Sequence, residues 1–256
     1  MNINKGHVKR QFDRSAATYD AVSQMQRDIV DVLLSHLESS SVVNDIGDVG
    51  CGTGYALSRL NDIYPTARLI GLDMAAGMLD TAVQQLAGGN AFMVQGDIES
   101  LPIKPSSLDI CFSSSAIQWC DAERSIEQVS NVLKPKGRAL VSSFLSGTLL
   151  DWRKLWGRND QQFLSLSEFA SAFDRAGLQL ERVWSETQTQ SFGSFESALN
   201  SVRSLGAGNA SNQRLKGLTG RARFERIVKQ VNDLIDRNGS IDLHYEVVYA
   251  LACKPG

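Results

Sequence analysis

The stretch Asp48-Val49-Gly50-Cys51-Gly52-Thr53-Gly54 follows an apolar run and opens an amphipathic segment. Alternating glycines at such a junction let the backbone approach a bulky ligand and aim the N–H groups of the following helix at it. The feature calls for a strand, a tight turn and a helix in succession, the unit from which parallel α/β sheets are built. Its spacing also narrows the ligand. A dinucleotide-binding turn reads G-x-G-x-x-G; Gly50 and Gly52 fit that pattern, but the sixth place is Tyr55, which disfavours a nicotinamide dehydrogenase. What stands here is acid-x-G-x-G-x-G.

The flanking sequence continues the alternation. Residues 10–37 place Phe12, Ala16, Tyr19, Val22, Ile29, Leu33 and Leu37 at three- and four-residue steps, which predicts one helix. A strand over 42–50, a helix over 53–64 stopped at Pro65, a strand over 68–73 and a helix over 76–87 closed by Gly88-Gly89 follow. Strands at 91–94, 108–113 and 138–144 and a helix at 121–133 complete a pattern that implies a parallel sheet with helices on both faces. After Phe144 the alternation loosens to a helix over 167–176, a strand over 178–184 and a last strand over 243–252. About 55 residues separate those last strands, too many for a simple connection. Within them, 221–237 puts Phe224, Ile227, Val228, Val231, Leu234 and Ile235 on one helical stripe. The expected fold is one domain over residues 1–256: a Rossmann-like, doubly wound, mostly parallel seven-stranded sheet with an antiparallel last strand. Helix 10–37 and an insertion at about 187–241 are expected to cap the carboxyl ends of the strands, where open α/β sheets bind ligands.

Composition excludes several classes. With 256 residues, 43% hydrophobic, 21% charged and a formal charge of -2, the chain has no global nucleic-acid or membrane signature. No apolar run approaches the roughly 20 residues that span a bilayer, and the start, MNINKGHVKRQFDR, is too polar for a signal peptide. Cys51, Cys111, Cys120 and Cys253 lack C-x-x-C spacing, and His7, His36 and His244 form no metal-spaced set. A zinc site or disulfide framework is therefore not expected, and a reducing cytoplasm is.

The glycine motif resembles motif I of the S-adenosylmethionine-dependent methyltransferases. By that resemblance the loop of Gly50, Cys51, Gly52 and Gly54 faces the amino-acid end of the cofactor and Asp48 answers its ammonium. Asp73, 19 positions past Gly54 at the end of a predicted strand, is placed to accept two ribose hydroxyls, although it would equally cap the next helix. Met74 would flank the adenine. Asp97 and Ile98 match the site where an acid receives the adenine amino group and an apolar side chain packs on the ring, although Gly-Asp is also a common turn pair. Ser113 to Trp119 ends a strand where a methyltransferase meets its acceptor. Ser114 leaves room for the methyl group, and Gln118 and Trp119 would shape the acceptor pocket.

Longer pieces narrow the resemblance. Phe12-Asp13-Arg14-Ser15-Ala16-Ala17-Thr18-Tyr19-Asp20 with Gln26, Asp97 to Pro102, Ser113 to Trp119, Ser204-Leu205-Gly206-Ala207, Leu218-Thr219-Gly220-Arg221 and His244 to Tyr249 resemble the malonyl-acyl-carrier-protein O-methyltransferases of biotin biosynthesis. That family implies methylation of the free carboxylate of a malonyl thioester on acyl carrier protein. A carboxylate is already ionised at neutral pH, so no dedicated general base is expected. Orientation would fall to Tyr19, near the methyl site, and to Arg203, a bidentate partner for the carboxylate. Between Arg203 and Lys229 seven bases face one acid, Glu225, for a local charge of +6, so the rest of the chain carries -8. Arg214, Lys216, Arg221, Arg223 and Arg226 would steer an acidic carrier protein, with Arg153, Lys154 and Arg158 extending the patch. Two other readings remain open: a carboxyl methyltransferase on a small free acid of the trans-aconitate type, and a non-catalytic binding subunit on the same fold.

Overall fold

The structure, a computed structural model, describes residues 4–37, 42–86, 90–157, 163–204 and 218–256. In chain order the elements are α1 (Lys5–Tyr19), α2 (Gln24–Leu34), β1 (Asp45–Val49), α3 (Tyr55–Ile63), β2 (Arg68–Asp73), α4 (Ala76–Gln85), β3 (Ala91–Gln95), β4 (Leu108–Ser114), α5 (Ala122–Val132), β5 (Leu133–Phe144), α6 (Leu150–Leu155), α7 (Leu166–Arg175), β6 (Gln179–Phe192), α8 (Phe195–Ser204), α9 (Leu218–Asn238) and β7 (Ile241–Cys253). A single 3-10 turn, Ile117–Trp119, follows β4.

The strands form one seven-stranded sheet in the order β3-β2-β1-β4-β5-β7-β6. The first five are parallel, and β7 runs antiparallel to both β5 and β6. The order reverses at β1 and β4, so the crevice at their carboxyl ends is where such a sheet binds its ligand. The period of two along β7 sorts the core. Tyr245, Val247, Tyr249 and Leu251 join the layer with Ile29, Leu33, Leu57 and Leu60, while Val248, Ala250 and Ala252 join the opposite layer with Ile126, Val129, Phe169 and Phe173.

The predicted helix over 10–37 is two helices. The apolar period runs through the break because both halves bury a face, but they bury it against different partners. Ala16 of α1 packs with Ala75 and Met78, whereas α2 lays Met25, Ile29 and Leu33 on the sheet. Asp20 fixes the break: its carboxylate accepts from Thr53 Oγ1 at 2.7 Å and from the Gln85 amide, and pairs with Arg27. The strand expected at 178–184 continues to Phe192, paired residue by residue with β7. The insertion proper is therefore α8 and α9. Since Phe144 pairs with Val247, the β6–β7 ribbon runs beyond the carboxyl edge of the parallel strands, and α8 leaves from that extension. Ala198 and Val202 of α8 and Ile227 and Val231 of α9 are buried in the same layer as α2. On the predicted stripe over 221–237, Phe224 and Leu234 stay exposed. The Gly88-Gly89 cap, Arg158, Arg214 and Lys216, and Leu205-Gly206-Ala207 lie outside the described residues.

Candidate active site

The carboxyl ends of β1, β2 and β4 open into two adjoining chambers that share Tyr19, Gly50, Gly52, Ser114 and Ser115. The first adds Phe12, Asp73, Met74, Ile98 and Trp119; the second adds Gln26, Arg27, Asp48, Cys51 and Tyr55.

The glycine loop is built by backbone geometry. Gly50, Gly52 and Gly54 have φ of +81°, +53° and +90°, the left-handed region that other residues enter at a cost. At Gly50 a Cβ would collide with that of Ala116, whereas at Gly52 it would meet nothing within 4 Å. Gly50 is therefore required by packing, and Gly52 leaves the space itself. Gly54 stands at the N-cap of α3 and is absent from the lining of both chambers.

Asp73 ties the loop to β2. Its Oδ2 accepts the Gly52 N–H at 3.0 Å and its Oδ1 accepts the Ala75 N–H at 2.8 Å. The capping and ligand-binding readings of this residue are thus compatible, because a carboxylate has about four acceptor positions and the loop N–H groups do not fill them all. Burial raises its pKa, opposed by those N–H groups. Asp48 is 2% exposed. Burial, reinforced by the nearby Asp73 charge, pushes its carboxyl up to about 8. Its Oδ2 and the Oε1 of Gln26 are buried without a partner. The Cys51 thiol beside them is also pushed up, by burial first and then by Asp48 and Asp73.

Helix α1 roofs the first chamber through Val8, Phe12 and Tyr19. Phe12 stacks edge-on with both Tyr19 and Trp119, each with ring centroids 6.2 Å apart. Burial drives the Tyr19 hydroxyl far above the ordinary tyrosine range, helped by Asp73 and Asp20, so it is a neutral donor at physiological pH. The roof is anchored at its far end. Lys5 Nζ lies 2.6 Å from Asp97 Oδ2 and 2.7 Å from Glu99 Oε2. Burial opposes the Asp97 charge, but the Lys5 ammonium and the Glu99 N–H outweigh it and hold the carboxyl below its usual range. Gly96 and Ile98 line the chamber, whereas Asp97 between them is absent from the lining of both chambers and is bound to Lys5.

Two further expected residues lie elsewhere. Gln118 faces a neighbouring cavity of about 540 Å³ with Ser143 and Phe144. Its amide donates to the Ser115 carbonyl at 2.6 Å and accepts from Ser143 Oγ at 3.3 Å. Arg203 is exposed on α8 and absent from both chamber linings, although its backbone carbonyl accepts from Gln11 Nε2 on the roof helix at 2.9 Å. Sequence reasoning missed Phe12 as a wall of the site, because its helical spacing reads as ordinary core. Ser115, within the expected stretch Ser113 to Trp119 but not singled out there, is a non-glycine at φ +54° that lines both chambers.

A methyltransferase-domain family model matches residues 47–141, from β1 into β5. The malonyl-[acyl-carrier protein] O-methyltransferase of Methylovorus sp. (strain MP688) is 32% identical, over 99% of this chain and 90% of that protein. The like-named protein of Hahella chejuensis is 34% identical, over 89% and 83%. The chain belongs to the malonyl-[acyl-carrier protein] O-methyltransferase family. The biotin biosynthesis bifunctional protein BioHC of Cellvibrio japonicus is 34% identical across 99% of the chain, which spans 51% of that longer protein. Among solved structures, the YcgJ protein of Bacillus subtilis superposes with a TM-score of 0.61 at 19% identity, over 90% of this chain and 99% of that one. Phosphoethanolamine N-methyltransferase 2 of Haemonchus contortus, in complex with S-adenosyl-L-methionine, gives 0.61 at 14% identity, over 95% and 57%. Those two likenesses bear on the fold alone. The family makes this methyltransferase an O-methyl transferring enzyme with S-adenosyl-L-methionine as its cofactor.

The residues fit that cofactor. Asp48 Oδ2 and Gln26 Oε1 are orphaned acceptors in one chamber, suited to an ammonium with three donors. The space at Gly52 is the cradle a side chain would fill. Asp73, with acceptor positions left, and the apolar Met74 and Ile98 suit a ribose and a purine ring.

Proposed function

We propose that this enzyme methylates the free carboxylate of a malonyl group carried as a thioester on acyl carrier protein, giving the methyl ester that primes synthesis of the biotin side chain. The observation that carries this reading is family membership over nearly the whole chain, including the α8–α9 insertion, and not over the nucleotide-binding core alone. Bound S-adenosyl-L-methionine supplies an electrophilic methyl on a cationic sulfur. The protein's part is placement. Asp48 and Gln26 hold the ammonium, with Cys51 and the glycine loop against the amino-acid end; Asp73 holds the ribose; Met74, Asp97 and Ile98 hold the adenine. Ser114 keeps the space at the methyl small-sided. Tyr19 donates a hydrogen bond and does not act as a base, since its hydroxyl is held protonated. Trp119 and Phe12 exclude water from the acceptor, and well-oriented reactants of this kind gain roughly 7–11 kcal/mol.

Helices α8 and α9 form the substrate cap. Arg203, held beside the roof by Gln11, is our candidate partner for the malonyl carboxylate at the chamber mouth. Gln118 acts from the neighbouring cavity, on the acceptor's thioester arm. The carrier docks on α9: Arg223 and Arg226 line a groove with Lys154, which also pairs with Asp151 at 3.1 Å, and Arg221, which pairs with Glu225 at 3.0 Å, flanks them. Arg214 and Lys216 extend this docking surface in sequence. Among the described residues no helix is long and apolar enough to cross a membrane, and we place the enzyme in the cytoplasm. The test is acceptor choice, read as S-adenosylhomocysteine formed. Malonyl-carrier protein should be consumed far faster than trans-aconitate or acetyl-carrier protein; equal or greater turnover of the free acid would replace the carrier reading with the small-acid one.

A further inference from the structure

Three residues that line the second chamber each carry a buried polar atom with no hydrogen-bond partner in the protein: Asp48 Oδ2, Gln26 Oε1 and Arg27 Nε. Buried polar atoms are nearly always satisfied, so three on one small chamber point to a ligand that satisfies them together. They divide by chemistry into two acceptors and one donor. The acceptors match an ammonium. The remaining donor belongs to a guanidinium, for which an anionic oxygen is the strongest complement.

Arg27 is also held in position. One arm of its fork, Nη2, lies 3.4 Å from Asp20 Oδ1, and its guanidinium carbon sits 5.3 Å from the centroid of the Tyr55 ring. Asp20 divides its charge among Thr53 Oγ1, the Gln85 amide and Arg27. One edge of the fork is thereby fixed by the protein, while Nε is buried without a hydrogen-bond partner on a residue that lines the chamber. An α-amino acid carries its carboxylate and ammonium on the same carbon. A ligand that gives its ammonium to Asp48 and Gln26 therefore brings its carboxylate close by, and Arg27 is the next residue along α2 from Gln26.

We propose that Arg27 binds the carboxylate of the cofactor's amino-acid end, so that Asp48, Gln26 and Arg27 read the zwitterion as a unit. The proposal rests on the chamber being the cofactor's. It assigns Arg27 a role in ligand selection: decarboxylated S-adenosylmethionine and 5′-methylthioadenosine keep the nucleoside but lack the group that Arg27 reads.

Calorimetric titration of wild type, Arg27→Met and Arg27→Gln with S-adenosylhomocysteine, decarboxylated S-adenosylmethionine and 5′-methylthioadenosine tests it. Removing a charged hydrogen-bond donor should weaken S-adenosylhomocysteine about 30-fold in both variants, while the other two ligands change less than about threefold. Retained 5′-methylthioadenosine binding reports that the variants are folded. Equal weakening of all three ligands, or unchanged S-adenosylhomocysteine affinity, overturns the assignment. If wild type itself binds none of the three, the cofactor reading of the chamber fails rather than the role of Arg27.

Discussion

The raised pKa of Asp48 makes cofactor binding a proton-linked event. In the free protein its carboxyl titrates at about 8, so at neutral pH most molecules carry a protonated Asp48. An ammonium beside it requires the ionised form, and binding below pH 8 must expel a proton. The ligand's own α-amino group loses its charge near ~7.8. The competent pair is therefore most abundant near pH 8 and declines on both sides. From pH 6 to pH 8 its population rises about 20-fold, equivalent to ~1.8 kcal/mol of binding free energy. The neighbouring thiols of Cys51 and Cys111 are pushed upward, mainly by burial, and stay protonated across this range. Titrating S-adenosylhomocysteine calorimetrically in buffers of different ionisation enthalpy should show about one proton released at pH 6 and a bell-shaped affinity centred near 8. Asp48→Asn should bind weakly and lose the acid limb of the bell. A wild-type affinity that is flat from pH 6 to 8, with no proton release, would refute the pairing of Asp48 with the ammonium.

Other substitutions separate the parts of the site. Gly52→Ala introduces a methyl group into the open cradle at φ +53°; stability should fall by only about 1 kcal/mol, while S-adenosylhomocysteine affinity falls more than tenfold, measured by thermal melts and titration. Asp73→Ala should weaken the cofactor by at least tenfold through loss of charged acceptors, and because Asp73 also holds the Gly52 and Ala75 N–H groups, its melting temperature should drop as well. Lys5→Met removes the anchor of the roof and should speed S-adenosylhomocysteine release in stopped flow, with Lys5→Arg restoring most of the effect. The pair Arg223→Glu and Arg226→Glu should raise KM for malonyl-carrier protein several-fold and leave KM for a small malonyl thioester unchanged; equal effects on both would remove the carrier from α9.

The elements that local chemistry dictates were legible in the sequence. The glycine loop, the acid ending β2 and the alternation through β5 each follow from short-range rules of turn geometry and burial. What escaped depends on which element meets which. The period through 10–37 is continuous, yet Asp20, bonded to Thr53 and Gln85, turns the chain there and sends α1 over the chamber and α2 onto the sheet. Gln118 adjoins Trp119 in sequence, but one turn of 3-10 helix points the indole into the first chamber and the amide into the next cavity. Nothing in the sequence marks Arg27, and only the fold shows its Nε buried and its side chain on the chamber that Asp48 also lines. Pairings such as Lys5 with Asp97, 92 positions apart, leave no local mark at all.

The central claim is a methyl ester formed on the malonyl carboxylate. The most direct measurement is intact-protein mass spectrometry of malonyl-carrier protein after incubation with the enzyme and S-adenosyl-L-methionine, followed by fragmentation of the released prosthetic arm. One added methyl, located on the malonyl group and removed by mild alkali, is the predicted result. An unmodified malonyl group with S-adenosylhomocysteine still formed on a free acid, or a methyl found elsewhere on the carrier, would contradict it.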